Sequence, residues 1–176
     1  GFQNASIFFH ENSALKQQME TLLRDLDFGL SGVEIRKLDL VAPPEMKMPD
    51  GVKLLPQYQV IGVHTLQDGS RHELHMLEES SGTRTAFTQL SYLLSVLANG
   101  GIAVIDELES DMHPHMIAPL LDLFASEHAN PHNAQIIFTS HSIEVISLLG
   151  KSQVILVEKN DCVSEAWRLD TMEGVR

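Results

Sequence analysis

The sequence predicts an α/β protein: a parallel sheet with flanking helices, preceded by an N-terminal helix and a β-hairpin. Three observations predict it. From Thr85 onward, apolar stripes at helical spacing alternate with short continuous apolar runs, in the order helix, strand, helix, strand, helix, strand. The runs Ile102-Ala103-Val104-Ile105 and Gln135-Ile136-Ile137-Phe138 lack the in–out alternation of a half-wet strand, as parallel strands covered on both faces do. Upstream, Asp68-Gly69 separates two β-prone runs, which is a hairpin signal.

Taken in order, Ser13 is expected to cap a helix whose apolar stripe is Leu15, Met19, Leu22, Leu23 and Leu26. Residues 28–32 read as its stop, and Val33-Glu34-Ile35 as a short strand. Residues 41–55 contain Pro43, Pro44, Pro49 and Gly51 and read as a loop. Residues 58–66 and 72–77 form the hairpin. Ala86, Phe87, Leu90, Leu93, Leu94 and Leu97 make a helix that Asn99-Gly100-Gly101 ends. Met116, Ile117, Leu120, Leu121 and Phe124 make the next, with Pro119 inside it. A short helix over 143–149, closed by Gly150, leads to a third strand over 153–157. The expected organisation is an N-terminal part over 1–57 and a main part over 58–176.

Composition bounds the function. The 176 residues are 43% hydrophobic and 20% charged, as in a globular domain with a core. Twelve Lys+Arg stand against 24 Asp+Glu, for a net charge of -12. Such a surface is poorly made for phosphate backbones, so direct nucleic-acid binding by this chain is not expected. The lone Cys162 can form neither an internal disulfide nor a cysteine-rich zinc site, which suits a cytoplasmic setting. No apolar run reaches the roughly 18 residues of a membrane span. Nine histidines raise the question of a metal site. His72 and His75 lie three apart on a strand and face opposite sides, while His113 and His115 lack a third ligand, so surface histidine is the expectation.

Ligands of parallel α/β sheets bind beyond the carboxyl ends of the strands. Here one such end carries Asp106-Glu107 and the other Thr139-Ser140-His141. An acid at the end of an apolar strand can hold Mg²⁺, which takes only one or two protein carboxylates. The next acid can act on an attacking water, and a histidine can donate to a terminal phosphate, an arrangement suited to nucleotide hydrolysis. The plain structural alternative is that Asp106 and Glu107 only cap the next helix. Glu79-Ser80-Ser81-Gly82-Thr83 precedes the helix of Ala86 and has the composition of an anion site at a helix N-terminus, or of an ordinary N-cap.

In this order the three segments resemble the second half of the ABC-type ATPase superfamily: signature motif, Walker B and switch histidine. Glu79-Ser80-Ser81-Gly82-Thr83, the segment Met112-His113-Pro114 and the closing Val157-Glu158-Lys159 resemble its SMC-like, OLD-like branch of bacterial AAA-type ATPases, which includes proteins linked to phage defence. The resemblance covers residues 60–176. It implies that Asp106 helps hold Mg²⁺, that Glu107 acts on the attacking water and that His141 contacts the terminal phosphate of ATP. It implies that Ser80, Ser81, Gly82 and Thr83 complete the nucleotide site of a partner subunit, so that ATP is sandwiched in a homodimer. Ser81 and Thr83 depart from the usual signature, and His113 stands where the D-loop usually has Asp.

A phosphate loop of the Gly-x-x-x-x-Gly-Lys-Ser/Thr type is not found. Gly150-Lys151-Ser152 fails because Val145 stands where the first Gly belongs and a strand follows. The expectation is a carboxy-terminal piece, starting at an unnatural Gly1, whose phosphate loop lies on a missing N-terminal lobe. By itself such a piece should turn over no ATP; the intact protein would drive an effector. The rival is a non-catalytic interaction module that uses the 41–55 loop and the hairpin to bind a protein. A minor third option is the start of a Toprim-type nuclease at Glu158, whose later paired acids are not found.

Overall fold

The computed structural model describes residues 1–26, 29–38, 56–110, 112 and 114–172. The chain begins with two helices, α1 (Phe2–Glu11) and α2 (Ser13–Asp25), where one was expected. Phe2, Ala5, Ser6 and Phe9 line one face of α1, and Phe2 and Phe9 lie 5.4 and 5.2 Å from the Phe87 ring. The stripe of α2 is as expected, with Met19 and Leu23 buried, but Ser13 does not cap it: Asn12 is the N-cap residue, without a side-chain bond.

β1 (Gly32–Leu38), β2 (Gln57–Thr65) and β3 (Arg71–His75) form an antiparallel sheet in the order β1-β2-β3. The hairpin turns at Asp68-Gly69, where Asp68 accepts hydrogen bonds from the amide and hydroxyl of Ser70 and Gly69 takes φ +81°. Glu20 of α2 accepts the Val33 amide at 2.7 Å and so ties α2 to β1. The proline-rich 41–55 loop lies outside the described residues.

α3 (Ser81–Asn99) is the spine of the molecule. Its 19 residues span about 28 Å. Phe87, Leu90, Leu93 and Leu94 are buried along it, in one core shared with α1, α2, β1 and α4. A two-glycine turn then feeds β4 (Ile102–Ile105), α4 (Pro114–Ala125) and β5 (Gln135–Phe138). β4 and β5 are parallel, with Ile102 opposite Gln135 and Ile105 opposite Phe138. This β-α-β unit is the predicted parallel sheet. Met116, Ile117 and Leu120 of α4 face the core, despite Pro119 inside the helix.

Two expectations about the parallel sheet are corrected. First, β4 and β5 are not covered on both faces. Ala103 is buried, but Ile102, Val104 and Ile137 are 58%, 75% and 55% exposed, and the last two sit opposite each other. Second, the third strand does not join them. β6 (Ile155–Asn160) turns at Asp161-Cys162 and pairs antiparallel with β7 (Val163–Arg168), which was not foreseen. Trp167 of β7 lies opposite Leu156. Between β5 and β6 lies α5 (Ile143–Ser147), capped by Ser142, whose hydroxyl accepts the Val145 amide. Gly150 does not close that helix. It has φ -69° and starts a short 3-10 turn over Lys151–Gln153, which also rules out a phosphate-loop conformation followed by a helix.

Gly100 is where the backbone does require glycine. It has φ +70°, and a Cβ there would lie 3.0 Å from the carbonyl oxygen of His132. Gly100→Ala is expected to cost about 1–3 kcal/mol of stability, read as a lower urea midpoint with unchanged m-value.

Candidate functional site

Because β4 and β5 are parallel neighbours, their carboxyl ends lie side by side. The chain after β4 carries Asp106 and Glu107, and the chain after β5 carries Thr139 to His141. Thr139 joins them. Its amide donates to the Ile105 carbonyl at 3.0 Å, continuing the ladder by one residue. Its hydroxyl donates to Asp106 Oδ1 at 2.6 Å and accepts the Glu107 amide at 2.7 Å. Its carbonyl accepts the Leu108 amide at 3.0 Å. One small side chain thus sets the position of both acids.

Glu107 adopts φ +49°, a left-handed backbone that is uncommon for a residue with a Cβ. The conformation turns the chain sharply and lets Leu108 plunge into the core, where it is fully buried. Glu107 itself remains 52% exposed. Ser110 donates its hydroxyl to Glu107 Oε2 at 2.8 Å. The other oxygen, Oε1, lies 3.6 Å from His141 Nε2, too long for a hydrogen bond but close enough for charge to be felt. His141 is 83% exposed. Asp106, Glu107 and His141 therefore share one rim, as the sequence reading requires.

Two residues that the sequence reading left without a role matter here. Thr139 is one; its place directly after a buried parallel strand was the available signal. The other is Glu109, whose Oε1 accepts the His141 amide at 2.5 Å while its Oε2 is buried with no hydrogen-bond partner among the described residues. Burial raises the carboxyl's pKa, but hydrogen bonds from the His141 amide, Glu109's own amide and the Ser140 hydroxyl, with the nearby His141 charge, outweigh it, so the group sits below its usual 4.5.

The signature segment is elsewhere, at the start of α3. Ser80 is the N-cap residue: its hydroxyl accepts the Thr83 amide at 3.1 Å and lies 2.8 Å from the Thr83 hydroxyl. Thr83 is buried, Gly82 is half-buried and Ser81 is exposed. Glu79, just before the cap, is held by His64, whose Nε2 lies 2.7 Å from Glu79 Oε1. Gly62 makes room for that carboxylate, since a Cβ there would meet Glu79 Oε1 at 2.4 Å in separation. Among the described residues, the hydrogen bonds of Ser80 and Thr83 stay within the start of α3 and do not reach Asp106, Glu107 or His141.

No group of three metal-ligating side chains occurs among the described residues. His75 caps the short turn after β3 by accepting the Leu77 amide, and His72 lies against Ser70. His113 lies outside the described residues. Glu158 is exposed on β6, opposite Glu165. Among the described residues, no helix is long and apolar enough to cross a membrane.

Comparison with known proteins bears on this arrangement. A family model described as "AAA domain, putative AbiEii toxin, Type IV TA system" matches residues 4–147. No curated protein matches the sequence. Among solved structures, the chain resembles one described as "Structural biochemistry of ATP-driven dimerization and DNA stimulated activation of SMC ATPases", with TM-score 0.57, 14% identity, and coverage of 94% of this chain and 89% of that one. It also resembles an Smc head bound to the C-winged helix domain of ScpA, with TM-score 0.54, 12% identity and coverage of 88% and 42%. A third is an Smc head with an extended coiled coil bound to the C-terminal domain of ScpA, from Pyrococcus furiosus, with TM-score 0.55, 13% identity and coverage of 93% and 36%. The chain thus spans less than half of the last two structures. At these identities the likeness establishes the fold: a mixed α/β architecture like that of SMC ATPase heads.

Two outcomes are expected from the rim. Thr139→Val keeps the shape but orphans the Glu107 amide and frees Asp106; it should cost about 1–3 kcal/mol in urea unfolding, and Thr139→Ser should recover most of that. For Glu109 the sign follows from its depressed pKa: its contribution to stability is whole above the unfolded value and is lost as pH falls through the lower folded one. Carboxyl ¹³C titration of Glu109 should give a midpoint below 4.5, and a midpoint above it would contradict the hydrogen-bond assignment.

Proposed function

The chain belongs to the AAA-domain family whose model it matches, a family of nucleotide-binding ATPase domains, and from that premise we propose that it is the carboxy-terminal part of an ABC-type ATPase. In the intact protein it would bind and hydrolyse ATP with Mg²⁺ at a dimer interface. The observation that carries this reading is the shared rim: Glu107 Oε1 within 3.6 Å of His141 Nε2, beside an Asp106 oriented by the Thr139 hydroxyl.

The residues suit the chemistry. Mg²⁺ asks for one or two carboxylates and takes its other oxygens from water and phosphates, so Asp106, exposed and with only Oδ1 engaged by Thr139, is a fitting ligand. When bound, the ion neutralises charge on the phosphoryl oxygens. Glu107 is the proposed general base. Ser110 occupies Oε2, which leaves Oε1 to take a proton from water. His141, exposed beside it, would donate to the terminal phosphate. Ser80, Ser81, Gly82 and Thr83 would face the nucleotide of a second subunit. The confinement of their hydrogen bonds to the start of α3 is consistent with a site completed in trans.

The bare face of β4 and β5 supports a further lobe. Parallel sheets are otherwise covered on both sides, and Val104 and Ile137 are exposed here. The proposed cover is the N-terminal lobe that carries the phosphate loop. A chemical output through an effector, in defence or linked to nucleic acid, is in keeping with the toxin–antitoxin description of the family.

In the ATPase assembled with its phosphate-loop lobe, Glu107→Gln should lower the hydrolysis rate by about 10²–10⁴-fold while ATP-held dimers persist in sedimentation. An unchanged rate would remove Glu107 as the base. A rate lost together with the dimer would point to a non-catalytic association module instead.

A further inference from the structure

We propose that Glu109 is a positioning residue: its carboxylate holds the backbone of His141 and thereby fixes the reach of the imidazole toward Glu107. The inference deepens the ATPase reading and rests on it for its catalytic consequence.

The argument starts from what else could hold His141. Its ring is largely in solvent, so packing does not fix it. It lies between the end of β5 and the start of α5, where the neighbouring serines accept the amides of local turns and the Ser140 hydroxyl also interacts with the Glu109 carboxyl. Ser140 accepts the Ser142 amide, and Ser142 accepts the Val145 amide. Thr139 pins the chain two residues earlier, to Ile105, Asp106, Glu107 and Leu108. The His141 amide donates to Glu109 Oε1, at 2.5 Å. A backbone amide donating to a carboxylate is a charge-assisted bond, stronger than one between neutral groups.

The anchor on the other side is firm. Leu108, next to Glu109, is fully buried in the core, and its amide is held by the Thr139 carbonyl. The carboxylate therefore projects from a fixed point of the backbone. Its second oxygen is buried with no hydrogen-bond partner among the described residues. The His141 amide is the strongest of the hydrogen bonds that hold the carboxylate, ahead of Glu109's own amide and the Ser140 hydroxyl. The loop that carries the proposed base and the loop that carries the proposed phosphate contact are thereby locked in register, with Glu107 and Glu109 on one side and His141 on the other.

Two measurements test this. In the present chain, hydrogen exchange of the His141 amide should be at least about tenfold faster in Glu109→Ala than in the parent. The Thr139 amide, bonded to the Ile105 carbonyl, should be unchanged and so report an intact fold. Equal His141 exchange in the two proteins would overturn the tether. In the ATPase assembled with its phosphate-loop lobe, Glu109→Ala should lower kcat by about 10–100-fold with KM for ATP unchanged, since a misplacement near 1 Å can cost that much. The double variant Glu109→Ala/His141→Ala should be no slower than His141→Ala alone. Multiplying losses in the double variant would overturn action through His141. An unchanged rate in Glu107→Gln would overturn the hydrolysis reading itself, and the exchange measurement tells that failure apart from failure of the tether.

Discussion

The arrangement depends on the side-by-side parallel pairing of two short strands, and on one hydroxyl at their common end. β4 and β5 share only a four-residue register, too little to hold the two following loops by itself. Thr139 extends the ladder by one step with its amide and then takes hold of the opposite loop with its hydroxyl and carbonyl. Because the hydroxyl both accepts from Glu107 and donates to Asp106, it orders the two acids at once. The left-handed turn at Glu107 is stable only because these bonds, and the burial of Leu108, over-determine it.

The same strands display the second constraint. A parallel sheet needs cover on both faces, and here only one face has it. α3 and α4 lie on the inner side, where Ala103 is buried, while Val104 and Ile137 look outward. Core and site are therefore built from different demands. The core runs from α1 and α2 through α3 to α4 and is continuous. The rim of acids and histidine lies at the edge of the sheet with the uncovered face. The start of α3, where Ser80 caps its own helix, is a separate station on the same spine. Two stations that do not meet within one chain invite completion between chains.

Much of this was legible in the sequence, and the parts that were not have identifiable reasons. The hairpin at Asp68-Gly69, the helix ended by Gly100 and the β-α-β unit each follow from strong local signals. α1 is not foreseen although Phe2, Ala5, Ser6 and Phe9 carry a helical stripe, because that stripe spans only two turns and has no capping signal. The third strand was read as parallel because strand order alone was used. Its partner β7 is exposed at every position and mixes polar and apolar residues without alternation, so it offers no burial pattern. Exposure on β4 was hidden for a different reason: an apolar run states what a strand is made to face, not whether that neighbour is there. At the site, Asp106, Glu107 and His141 could be placed on one rim by the rule for parallel sheets. Glu109 could not, because its role is to accept a main-chain amide 32 residues away, and no side-chain pattern encodes that.

The central claim is that the rim and the start of α3 are two halves of a site completed by a second molecule. Mixing tests it most directly. Glu107→Gln and Ser80→Arg proteins, each assembled with the phosphate-loop lobe, should both be inactive alone. In a heterodimer of the two, one site receives both defects and the other receives neither. The account predicts that an equimolar mixture recovers up to about a quarter of parental ATP hydrolysis. A mixture as inactive as its components would contradict it.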